Sequence, residues 1–165
     1  MSELRSAIEG YRSEALGELP DARAEEDFAE LQRASELLEA ERLRRLADLD
    51  RRGLYRADGH LSSVSWLVAA FGIGGGQAKR DLSTARALES MPAVREAFEE
   101  GAISSSKVRM LAEAQRSEPG AFGEAEPMLL DAARMHSVRD LGRVVGYWRE
   151  AAENARRSEQ RFEDE

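Results

Sequence analysis

The residues best placed to do chemistry lie in one stretch, VSWLVAAFGIGGGQAKRDLSTARAL, from Val64 to Leu88. Lys79, Arg80 and Arg86 follow the glycine run at 72–76, with Gln77, Ser83 and Thr84 among them. On one helix, such cations hold phosphates, and such amides and hydroxyls read base edges in the major groove. The two predicted helices of the stretch meet at a glycine turn. Trp66, Leu67, Ala70 and Phe71 give the first an apolar face, and Ala78, Leu82, Ala85 and Leu88 give the second one. Gly72 precedes apolar Ile73, and small Ala78 lets the helices cross closely, as in a helix-turn-helix. The plainer alternative is a helical corner that touches no nucleic acid. Lys107 and Arg109 are possible further phosphate contacts.

Other chemistry finds little support. The two histidines, His60 and His136, are far apart, and no H-E-x-x-H spacing occurs. The glycine run lacks both the Gly-Lys-Ser/Thr ending and the preceding strand of a phosphate-binding loop, so no nucleotide cofactor is expected. With no cysteine there is no disulfide framework and no thiolate metal site. The many carboxylates stand three or four residues from Lys and Arg, as solvated helix pairs do. No catalytic, metal or cofactor site is expected within this chain.

The elements that position this stretch read as helices throughout, about eight of them with mostly short connections. A first helix is expected from Ser2 to about Gly17. A long second one runs from Ala22 to Arg52, with Asp21 as its cap and Gly53 as its stop. Phe28, Leu31, Ala34, Leu38, Leu43, Leu46 and Leu49 form its apolar stripe. Arg42 and Arg45 fall inside that stripe. Their stems are read as covering apolar neighbours while their heads reach water, the alternative being a carboxylate from another segment. Ser62 or Ser63 caps the first helix of the pair, and the second spans Gly75 to Glu89. Ser90 is expected to cap the next helix, with Pro92 in its first turn, and Ser104 the one after. Residues 117–123 read as a loop, followed by a helix from near Glu124 with Pro127 in its first turn. Ser137 and Asp140 form a variant capping box for the last helix. The domain reading is one helical domain: an arm over 1–21, a core over 22–148, and a charged helix over 149–165 that leads to a downstream module.

The net charge is −8, which argues against non-specific coating of DNA. The acidity is uneven, because residues 53–116 hold eight basic and seven acidic residues, a balance of +1, which leaves −9 for the flanks. The first residues, MSELRSAIEG, hold no apolar run, so no signal peptide is expected, and the apolar run Trp66–Phe71 is far short of the roughly 20 residues a membrane helix needs. The expected location is the cytoplasm, with no membrane partner.

The string ARALESMPAVREAFEEGAISSSKVRMLAEA resembles the signature of the bacterial domain of unknown function 222. Ala85, Arg86, Leu88, Pro92, Ala97, Gly101, Ile103, Ser104, Val108, Leu111 and Ala112 occupy its pattern positions. The upstream segment from Arg51 to Ile73, with its Asp58–Gly59 turn and Trp66–Leu67 pair, is similar to the family's preceding stretch. The resemblance covers most of the chain from about Glu41 onward. It implies the N-terminal part of an HNH endonuclease, often found in repeated mobile elements, with the nuclease motif and its divalent metal far downstream. The expected function is a non-catalytic module that contacts double-stranded DNA or positions the nuclease, through Lys79, Arg80, Arg86, Lys107 and Arg109. The alternatives are a protein-interaction module, as a homodimer built on the long helix and charged arm, and a small helix-turn-helix regulator.

Overall fold

The computed structural model describes residues 2–163, apart from the side chains of residues 159, 162 and 163. Within them the chain forms eight α-helices and no strand: α1 (Glu3–Arg12), α2 (Asp21–Arg52), α3 (Ser63–Phe71), α4 (Gly75–Glu89), α5 (Pro92–Glu99), α6 (Ser105–Ser117), α7 (Pro119–Met135) and α8 (Val138–Glu163). No described helix is long and apolar enough to cross a membrane.

Serine caps set several of the starts. The Ser62 hydroxyl accepts from the Ser65 amide at 3.2 Å. Ser137 accepts from the Asp140 amide at 3.1 Å, while its hydroxyl donates to the Asp140 carboxylate at 2.8 Å, which completes the expected box. Other ends differ from expectation. The first helix stops at Arg12 rather than near Gly17, because the Ser13 hydroxyl donates to the Gly10 carbonyl at 2.8 Å and competes with the helical bond. Asp21 is the first residue of α2 rather than its cap; the Pro20 carbonyl accepts the Ala24 amide.

The expected loop at 117–123 is mostly helix, since α7 begins at Pro119. Proline fits there because the first turn has no partner for its missing N–H. Phe122 is fully buried and meets Trp148 edge-on at 5.8 Å, so packing overrides the glycines around it. Pro127 thus lies inside α7, not in its first turn. The burial of Phe122, Glu126, Leu129, Leu130 and Ala133 holds the helix across it.

The chain divides into two compact units, one up to Ser35 and one from Glu36 onward. The first contains α1 and the start of α2, and none of its described residues is buried. The stripe predicted along α2 is therefore buried only in part. Ala40, Leu43 and Leu46 are enclosed in the second unit, whereas Phe28, Leu31 and Leu38 are exposed. In the second unit α4 is central: it packs on α3, α5 and α6, and α7 and α8 complete the layer around α6. Leu82, Leu88, Val94, Phe98, Val108, Leu111, Leu129 and Leu141 form this core.

Candidate nucleic-acid interface

Gly72 ends α3 in the left-handed region at φ +64°, where a side chain would be strained, and its amide donates to the Val68 carbonyl. The connection to α4 is three residues long, Gly72 to Gly74. Gly74 offers no side-chain cap, so the first turn of α4 keeps N–H groups without intrahelical partners. Seven residues of α4 are buried: Ala78, Asp81, Leu82, Thr84, Ala85, Ala87 and Leu88. The polar residues left outside are Gln77, Lys79, Arg80 and Arg86, with Ser83 half-buried beside them, and at the helix end Glu89, which accepts from Arg51 of α2 at 2.9 Å. Thr84, one of the residues considered for base contact, turns inward and donates its hydroxyl to the Arg80 carbonyl at 2.9 Å.

The five basic residues singled out from sequence divide into two sets. Lys79 and Arg80 are exposed and form no ion pair among the described residues. Arg86 lies on the same face, but Asp50 of α2 holds it through Nε at 2.8 Å and Nη2 at 2.9 Å. That bidentate bond keeps the Asp50 carboxyl below the ordinary carboxylate range, against the effect of its partial burial, and a bond from Ser63 at 2.6 Å adds to it. Lys107 and Arg109 are occupied elsewhere. Lys107 donates to the Ala133 carbonyl at 2.7 Å, in the last turn of α7, and Arg109 enters an ion cluster.

In that cluster Asp81 is wholly buried on α4. One of its oxygens accepts from Arg42 of α2 at 2.9 Å and the other from Arg109 of α6 at 3.0 Å. Glu39 closes the ring, taking bonds of 2.8 Å from Arg42 and 2.7 Å from Arg109. The paired carboxylates raise the Arg42 pKa, Glu39 foremost. For Arg42, then, the preferred reading of a head in water gives way to the alternative, a partner from another segment. Among the described residues Arg45 pairs only with Glu41, on its own helix at 2.6 Å, and stays exposed.

Two grooves flank α4. The one between α2, α4 and α5, about 500 Å³, carries Arg44, Arg45, Arg51 and Arg95 beside Asp48, Glu89 and Glu99, so its charges largely cancel. The other, about 410 Å³ between α3, α4 and α6, is lined by Lys79, Arg86 and Arg116, with Ser83, Ser90 and Gln115 as neutral donors over Val64, Leu82 and Ala87. No carboxylate among the described residues lines it. Arg116, exposed and without an ion pair among the described residues, went unnoticed in the sequence. A helix-turn-helix template directs attention to the second helix, and α6 lies outside it.

His60 and His136 are not brought together with these residues, and no group of three or more His, Asp or Glu among the described residues could hold a metal ion.

The fold and this face define an all-helical module built around a helix-turn-helix-like pair with a basic outer strip. Residues 23–145 match the model of the family described as Domain of unknown function (DUF222), and the chain belongs to that family. No curated protein and no solved structure matches it.

Proposed function

We propose that this chain is a non-catalytic helical module that contacts the backbone of double-stranded DNA through α4, on behalf of an HNH-type nuclease module in its parent protein. The observation that carries the reading is the state of Lys79 and Arg80. Most arginines in the chain are bound to a carboxylate, in pairs such as Arg23–Asp27, Arg44–Glu41 and Arg86–Asp50. Lys79 and Arg80 instead have no ion-pair partner among the described residues and stand at the N-terminal end of the helix that would enter the groove, where recognition helices make their contacts. The near-neutral charge of residues 53–116 supports the same reading. The nuclease link rests on the chain's resemblance to the N-terminal parts of HNH endonucleases.

The test is a titration with duplex DNA at several salt concentrations. The double variant Lys79→Ala/Arg80→Ala removes two phosphate contacts, so the slope of log affinity against log salt falls by about 2. Binding at low salt that is absent, or that is equal in variant and wild type, refutes DNA contact at this face.

A second reading, self-association, is favoured by the first unit. Leu4, Ile8, Leu16 and Phe28 there are about half exposed or more, Phe28 at 70%. Several large apolar side chains left in water on one short unit call for a cover. Sedimentation is expected to show concentration-dependent dimerisation that Phe28→Ser weakens. A monomer at high concentration removes this reading.

A further inference from the structure

We infer that the groove between α3, α4 and α6 is a phosphate-binding pocket in which Arg116 is a binding residue alongside Lys79 and Arg86. This rests on the DNA reading for the source of the phosphate, but the pocket can be tested without it. Three cations and three neutral donors, Ser83, Ser90 and Gln115, share a lining without a carboxylate among the described residues. Asp50 already matches the charge of Arg86, but Lys79 and Arg116 have no carboxylate partner among the described residues, so in a chain of net charge −8 whose arginines are mostly neutralised within the fold this lining holds two cations open to an anion. Two guanidinium groups and an ammonium offer more donors than a planar carboxylate accepts, whereas the oxygens of a phosphate can take several of them at once. Asp50 holds Arg86 by Nε and Nη2, which orients the guanidinium in advance and leaves Nη1 for a ligand. Val64, Leu82 and Ala87 make the floor apolar, which strengthens the charged contacts above it. If the phosphate is a DNA phosphodiester, α6 becomes a second contact element beside α4.

Two arms test this on the whole chain, one with inorganic phosphate and one with duplex DNA, for wild type, Arg116→Ala and Arg116→Lys. Arg116 is exposed and unpaired among the described residues, so both variants are expected to fold. In the first arm, phosphate alone shifts the amide resonances of Ser83, Arg86, Ser90 and Gln115; Arg116→Ala abolishes the shifts and Arg116→Lys restores part of them. In the second, Arg116→Ala lowers the salt slope of DNA binding by about 1. Competition between DNA and phosphate identifies a phosphodiester as the occupant. Phosphate binding without DNA binding supports the pocket with free phosphate as its ligand, and refutes the DNA reading. DNA binding that is indifferent to Arg116, with no shifts from phosphate, overturns the pocket and leaves contact by Lys79 and Arg80 standing. Absence of both kinds of binding overturns both.

Discussion

Asp81→Ala is expected to lower the stability of the chain by about 3 kcal/mol, the lower end of what breaking a buried ion pair costs. The side chain is wholly buried and both its oxygens are used, by Arg42 and Arg109. As it stands, the ring of Arg42, Arg109, Glu39 and Asp81 is neutral. Without Asp81 it carries a surplus positive charge, and the two guanidinium groups lose the partner that joins α2 and α6 through α4. Water reaches both arginines, whose side chains are 37% and 33% exposed, and this keeps the loss from being larger. Asp81→Asn is expected to cost nearly as much, because its amide NH₂ faces a guanidinium. Arg45→Ala is the control: its pair with Glu41 lies on the surface, where such pairs contribute at most about 1 kcal/mol. Urea unfolding followed by circular dichroism reads all three. A loss below about 1 kcal/mol for Asp81→Ala would mean that the ring contributes little beyond what water supplies.

Glu126→Ala is expected to cost about 2 kcal/mol through a helix to which it does not belong. Pro92 opens α5 and keeps Met91, before it, out of the helical region at φ −128° and ψ 68°, and Met91 makes no side-chain cap bond. Glu126, on α7 and 7% exposed, supplies that acceptor: its Oε1 takes the amides of Ala93 at 2.9 Å and Val94 at 3.0 Å. Alanine there leaves both amides without an acceptor, in a place water scarcely reaches. Glu126→Gln keeps an oxygen but loses the negative charge that favours a helix N-terminus, so about half the loss is expected. Hydrogen exchange adds a local readout, since the Ala93 and Val94 amides should lose protection more than the core of α6. Equal effects from Ala and Gln, or unchanged exchange at those two amides, would rule out this capping role.

The same device appears at α6. Ser104 stands where a cap was expected but forms no side-chain cap bond, and Glu36 of α2 accepts the Ser105 amide at 2.7 Å instead. Ser90, expected to cap α5, ends α4. Local caps were legible because donor and acceptor lie three residues apart, as at Ser62 and Ser137. The caps from Glu36 and Glu126 span 69 and 32 residues, and nothing near either glutamate marks it as different from the surface carboxylates around it.

The sequence by itself determined the helices: their number, the glycine turn at Gly72, the limits of α4, and the all-α class. These follow from periodicity and turn chemistry, which act over a few residues. It also marked Lys79, Arg80 and Arg86 as one basic face, since helical spacing alone places them together. Only the tertiary structure decided which charges are in use. It gave Arg109 and Arg42 to Asp81, Lys107 to the end of α7 and Arg86 to Asp50, and it set Arg116 beside Lys79. The physical reason is that an exposed arginine and a buried, paired one have the same local pattern. They differ only in which carboxylate, from tens of residues away, the packing of the helices brings within hydrogen-bond reach.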